Sequence, residues 1–268
     1  MNVYVRLETL RQIVMADKAK VFAFYSYKGG TGRTTASANV SALLSRKGYR
    51  VLCIDLDLEG PGIGIVFNLA EETPFPLQSY LEGNHELTPA DFLEYGEPGQ
   101  LTDPSGCLWV LPASTRLAGV DTSKGGRLLG QLRKLIALAE KEFGIDVVII
   151  DSPSGFGDLS ALSMYVSNCV VALFRYSRQH VLGTARVSDF VKKYKLEFIA
   201  AASCVPQKPS VEKAKYDKML KRFYRTPIIE IEEDDSLKWQ ERIVVGSSDN
   251  CTALAGYNQL AEAVIAKL

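Results

Sequence analysis

This sequence predicts an α/β fold, a doubly wound and mostly parallel sheet with helices on both faces, on three observations. Short β-branched or aromatic runs alternate with helical patterns, most runs hold too few polar residues for a one-sided sheet, and a glycine-rich turn joins the first run to the first helix. Parallel strands covered on both faces read as continuous apolar runs because neither face meets water. With 268 residues and 47% hydrophobic content, the chain can bury one sizeable core.

Residues 1–20 form an N-terminal extension whose pattern is mixed: Val3, Val5 and Leu7 alternate as in a strand, whereas Leu10, Ile13 and Val14 follow helical spacing. A single domain is expected over residues 21–268. Its strands are predicted at 21–25, 51–54, 108–111, 147–150, 170–174, 198–202 and 228–231. Between them, residues 34–46 repeat apolar side chains at helical spacing and stop at Gly48, a natural left-handed cap. Leu128, Leu129, Leu132, Leu135, Ile136 and Phe143 form a second stripe that ends at Gly144. Residues 71–106 are richer in Pro, Gly and acidic side chains and read as an excursion from the sheet edge.

Composition narrows the function classes. Acidic and basic residues balance at 31 each, so a nucleic-acid or membrane partner has to be read from a local patch. The five cysteines lie far apart, mostly in apolar runs, and there are two histidines, which disfavours a zinc or thiol-redox site. No stretch of about 18 apolar residues occurs. A cytoplasmic protein is expected.

The first strand runs directly into Tyr27-Lys28-Gly29-Gly30-Thr31-Gly32-Arg33-Thr34-Thr35, and a helix follows at once. Glycines let backbone N–H groups turn inward around phosphate oxygens, the helix N-terminus adds a positive dipole, and a hydroxyl on its first turn can ligate Mg²⁺. Thr34 holds that hydroxyl position. Compared with the phosphate-loop pattern GxxxxGK[ST], Tyr27 replaces the first glycine and Arg33 replaces the lysine. A glycine-rich turn without a ligand would not also predict the acidic residues downstream. These are present: the second predicted strand ends in Asp55-Leu56-Asp57 and the fourth in Asp151. Carboxylates at the C-terminal ends of parallel strands face the crevice where such sheets bind ligands, and a hydrophobic strand ending in Asp is the Walker B arrangement for Mg²⁺.

At this point the sequence resembles the deviant-Walker ATPases of the ParA/MinD kind. Their pattern KGGxGKTTxxxNLxxxLxxxGxxVLxxDxD is matched at 28–35, Asn39, Leu43, Gly48, Val51, Leu52, Asp55 and Asp57, with Arg33 the departure of consequence. The resemblance covers about residues 20–268 and implies a P-loop fold that binds ATP and Mg²⁺. Lys28 would reach across a nucleotide-sandwich homodimer to the partner's phosphates. Gly29, Gly30, Thr31, Gly32, Arg33, Thr34 and Thr35 would hold the phosphates, and Asp57 would orient the attacking water. Thr34 and Asp151 would organise Mg²⁺ with help from Asp55, residues 155–158 would form the switch loop, and the base would lie near Val205 and Pro206. No NKxD-like guanine reader is evident, which favours ATP over GTP.

Replacing lysine by a wide, planar guanidinium is not conservative. It leaves three outcomes: slow hydrolysis with Arg33 as a bidentate phosphate clamp, binding without hydrolysis, or loss of nucleotide. The resemblance thus implies an ATP-dependent dimerising switch with slow, partner-stimulated hydrolysis that positions DNA or a protein assembly. The alternative is a nucleotide-sensing module that hardly hydrolyses ATP and controls an effector. Lys218, Lys221, Arg222 and Arg225 fall on one side of a predicted helix whose apolar stripe is Tyr216, Met219, Leu220 and Phe223. That side reads either as a contact for non-specific DNA or as a solvated face balanced by the acidic run 230–235. Residues 254–268 resemble the family's closing helix and add no basic amphipathic tail, so a membrane partner is not expected.

Overall fold

The computed structural model describes residues 19–69, 77–95, 106–116, 119–206, 211–223, 227–246 and 250–268. Residues 1–18 of the expected extension lie outside them. In chain order the elements are β1 (Lys20–Ser26), α1 (Arg33–Arg46), β2 (Arg50–Asp55), α2 (Ile63–Val66), α3 (Leu77–Glu82), β3 (Leu93–Tyr95), β4 (Cys107–Leu111) and α4 (Gly125–Phe143). There follow β5 (Val147–Asp151), α5 (Asp158–Val166), β6 (Cys169–Phe174), α6 (Arg178–Lys193), β7 (Glu197–Val205), α7 (Val211–Phe223), β8 (Ile228–Glu232), α8 (Asp235–Trp239) and α9 (Leu254–Ile265).

Eight strands form one sheet in the order β3-β4-β2-β5-β1-β6-β7-β8. Every pairing is parallel except β3 with β4. From β1 the chain first builds outward through β2 and β4, then returns to β5 and continues on the other side through β6, β7 and β8. A crevice outside the carboxyl ends of the strands is expected where the direction reverses, between β1 and its neighbours.

Side chains alternate across the central strands, and each face buries a separate core. Phe22, Phe24, Val51, Cys53, Val147 and Ile149 pack with α1 and α9 on one face. Leu52, Ile54, Val148 and Ile150 pack with Leu128, Leu132, Leu135 and Ile136 of α4 on the other. Helix α1 is buried almost throughout, which its Ala, Ser and Thr residues permit because small side chains let it lie close to the sheet. Its end is fixed by Gly48 at φ 94°, and α4 ends at Gly144 with φ 63°, the left-handed geometry expected at both.

The segment read as an excursion returns to the sheet. Within residues 71–106, β3 adds an antiparallel edge strand beside β4, so the strand ending in Asp151 is the fifth rather than the fourth. Three residues are too few to show a period of two. Tertiary contacts hold the strand and its entry instead: the Tyr95 ring meets Phe67 at 4.6 Å, and Phe92, just before the strand, meets Phe143 at 5.3 Å.

Candidate functional site

The glycine-rich loop leaves β1 at the point where the sheet reverses. Gly30 and Gly32 adopt φ 72° and 68°, a region that side chains with a Cβ rarely enter, so both positions need glycine for conformation. Gly32 is also the N-cap of α1 and supplies no capping side chain, and the first turn of the helix carries no acid. The orphan N–H groups of that turn thus face the loop with their positive dipole end, as an anion site requires. Thr31 is 1% exposed, and its Oγ1 is buried with no hydrogen-bond partner among the described residues. A buried hydroxyl left unpaired costs free energy unless a ligand satisfies it.

Two residues outside the motif brace this loop. Ser203 of β7 donates from Oγ to the Thr31 carbonyl at 2.5 Å. Gly183 of α6 lies so close to Tyr27 that a Cβ there would sit 1.9 Å from the ring. Tyr27 takes the place of the motif's first glycine by laying its ring on α6, where Arg186 also approaches it at 5.9 Å. Lys28 is exposed, its Nζ 6.0 Å from the same ring.

All three predicted carboxylates meet beside the loop. Asp55 and Asp151 are register partners on adjacent strands, and both are fully buried. Asp55 accepts from the Gly62 and Ile63 amides through Oδ2, at 3.1 and 3.0 Å, and from the Asp57 amide through Oδ1 at 3.2 Å. It therefore ties down the loop after β2, and burial together with Asp151 lifts its carboxyl well above the usual range. Burial also raises Asp57, against the pull of Arg33. Asp151 accepts from Thr34 Oγ1 through Oδ2 at 2.7 Å and from Ser37 Oγ through Oδ1 at 3.0 Å. Gly62 must be glycine here, since a Cβ would come within 2.9 Å of the Thr34 methyl.

Arg33 does not point at the phosphate loop, as a clamp would. Its Nε donates to Asp151 Oδ1 at 2.7 Å, Nη2 to Asp57 Oδ2 at 2.6 Å and Nη1 to Ser26 Oγ at 3.4 Å, with the side chain 7% exposed. Burial works against its charge, but the two carboxylates more than compensate and keep it protonated. The guanidinium turns inward because the fully buried Asp151 and the partly buried Asp57 would otherwise lack a counter-charge.

A cavity of about 280 Å³ opens beside the loop, lined by Gly30, Thr31, Gly32, Thr35, Arg175, Cys204, Asp234 and Tyr257 among others. Pro206 lies in a neighbouring cavity of about 430 Å³ with Val205, Lys213 and Glu230. Ser26, Ser37 and Ser203 were not anticipated from the sequence. Ser37 alone carried a signal, one helical turn after Arg33. On α7, Leu220 is buried and Tyr216 and Met219 are partly so, while Lys218 and Lys221 are exposed. Arg225 and the Arg222 side chain lie outside the described residues. The acidic run does supply a counter-charge to this helix, since Lys213 Nζ lies 2.6 Å from Glu230 Oε1. Among the described residues, no helix is long and apolar enough to cross a membrane.

A doubly wound parallel sheet whose first strand runs through a glycine loop into a buried helix, with strand-end carboxylates beside that loop, defines a P-loop nucleotide-binding protein. A family model described as an AAA domain matches residues 19–201. The chain belongs to that family, within the ParA/MinD-type P-loop ATPases. It is 29% identical over 181 residues to the probable plasmid-partitioning protein ParA of Thermus thermophilus, covering 66% of this chain and 51% of that protein. Septum site-determining protein MinD of Neisseria meningitidis is 28% identical over 153 residues, 56% of this chain and 51% of its own length. The chain thus spans about half the length of these curated relatives. Among solved structures, MinD of Pyrococcus horikoshii complexed with Mg-ADP superposes with a TM-score of 0.68 at 19% identity, over 92% of this chain and 96% of that one. The Cyanothece McdA–ATP complex gives 0.73 at 19% identity, over 93% and 97%.

Proposed function

We propose that this chain is an ATP-dependent dimerising switch, slow to hydrolyse ATP without a partner, that positions DNA or a protein assembly in the cytoplasm. One observation carries the reading. Thr34, Asp55, Asp57 and Asp151, distant in sequence, converge beside a loop of three glycines at the uncapped end of α1. Residues 21–268 act as the ATPase domain in this reading.

The orphan hydroxyl of Thr31 and the left-handed Gly30 and Gly32 fit a bound phosphate chain, whose oxygens take the loop N–H groups. Thr34 Oγ1 and Asp151 Oδ2 are hard oxygens 2.7 Å apart and suit Mg²⁺, with Asp55 holding the neighbouring loop. When bound, the ion neutralises charge on the β and γ oxygens. Hydrolysis joins a water oxygen to the γ phosphorus and breaks the bond to the β–γ bridging oxygen, which leaves on ADP with its electron pair, while the water's proton passes to the released phosphate and then to solvent. Asp57 orients that water. Lys28, exposed and beside the Tyr27 ring, is available to reach the phosphates of a second copy. Ile65, Phe156 and Leu182 are exposed large apolar residues that suit contact with that copy or with an activating protein.

Calorimetry tests the site directly. Wild type should bind Mg·ATP, and Gly32→Val, which cannot hold φ 68°, should not. Undiminished affinity in that variant removes the assignment. A second reading, a nucleotide sensor with little turnover, is favoured by the commitment of Asp57 to Arg33.

A further inference from the structure

We propose that Arg33 is a brake on hydrolysis: its guanidinium, locked between Asp151 and Asp57, keeps Asp57 from orienting water while no partner is bound, so the chain alone holds ATP and turns it over slowly. The inference rests on reading this site as an ATP site and names how that site is regulated. Arg33 acts through Asp57 and is a positioning residue with a negative sign.

Three features support it. The guanidinium uses one edge as a fork, Nε on Asp151 and Nη2 on Asp57, while Nη1 faces Ser26, so all three nitrogens are engaged. The side chain is 7% exposed and Asp151 is fully buried, and Arg33 takes Oδ1 while Thr34 takes Oδ2, so Mg²⁺ on the Thr34 side would leave the Arg33 bond in place. Asp57 is 18% exposed, which leaves its carboxylate little open solvent to take up in place of the guanidinium. A lysine would bring a single nitrogen on a flexible stem, which a phosphate can draw away from either carboxylate. The fork resists that exchange because both bonds have to break together.

The test follows Arg33 and turnover separately. Wild type and Arg33→Lys are first titrated with Mg·ATP by calorimetry, and both should bind. In ¹⁵N–¹H correlation spectra the exchange-protected Nε–H signal lost in Arg33→Lys identifies Arg33. In wild type that signal should stay protected and unshifted when Mg·ATP is added. Single-turnover hydrolysis should be at least about tenfold faster in Arg33→Lys, since misplacing a reactant by about 1 Å can cost about 10²-fold. Adding Asp57→Asn should abolish the gain. The proposal is overturned if Mg·ATP shifts or deprotects the Arg33 signal, if Arg33→Lys is no faster, or if the gain survives Asp57→Asn. Should Arg33→Lys fail to fold, the number of protected arginine Nε–H signals in wild type with and without Mg·ATP decides alone. Absence of Mg·ATP binding by wild type instead overturns the ATP-site reading, and the brake falls with it.

Discussion

At the centre of the sheet Arg33 is 7% exposed and bonds two carboxylates at 2.6 and 2.7 Å, whereas at the edge Lys218 and Lys221 of α7 stand exposed. Both regions are basic in sequence, and only the first is built into the fold. Taking charges out of water is costly unless each is paired and hydrogen-bonded, so a buried cation has one allowed arrangement. An exposed lysine pays little for any arrangement and contributes little to stability. The centre should therefore be brittle and specific, the edge tolerant and salt-dependent.

The strongest way to break that contrast is to remove one partner of the buried pair. Asp151→Ala should destabilise the chain by about 3–5 kcal/mol, because it leaves Arg33 buried without its fully buried counter-charge. Urea unfolding that shows less than about 1 kcal/mol would mean the centre relaxes as readily as a surface.

Gly183→Ala tests the brace behind the loop. Forcing a methyl into the Tyr27 ring should cost about 1–3 kcal/mol. Tyr27→Ala in the same chain should relieve part of that cost, and strictly additive effects would deny the contact.

Asp234 lines the cavity beside the loop and is the N-cap of α8. The Ser236 side chain first, then the Thr252 amide, hold its carboxyl well below the usual range. A depressed carboxyl stabilises the fold above its ordinary titration range, and that contribution is lost as pH falls through the range toward the folded value. Asp234→Ala should cost about 1 kcal/mol at neutral pH and flatten the acid limb of the stability curve. Equal losses at neutral and strongly acidic pH would contradict the cap.

The smallest effect on stability is expected at the edge. Lys218→Ala and Lys221→Ala should each stay within about 0.5 kcal/mol of wild type. If α7 contacts duplex DNA, each should also flatten the salt dependence of binding by about one unit. Unchanged DNA binding in the double variant leaves a solvated helix face.

Six of the seven strands expected from the sequence were legible because burial on both faces writes continuous apolar runs into local sequence, while the edge strand β8 showed through its isoleucines. The loop and its carboxylates were legible for a related reason: phosphate geometry demands glycines and a hydroxyl at fixed spacing, and strand ends are visible as places where an apolar run meets an acid. Strand β3 was not, since three residues carry no period. Nor were Ser203 and Gly183, which reach Thr31 and Tyr27 from elements more than 150 residues away.

Residue 33 marks the boundary between the two kinds of knowledge. The sequence by itself determined that a guanidinium stands where the motif has an ammonium, and that acids end the strands nearby. Only the tertiary structure decided what that guanidinium does, because its partners Asp57 and Asp151 are 24 and 118 residues away along the chain. Burial then removes the choice. With Asp151 cut off from water, the nearest cation has to turn toward it, and no spacing along the chain expresses that requirement.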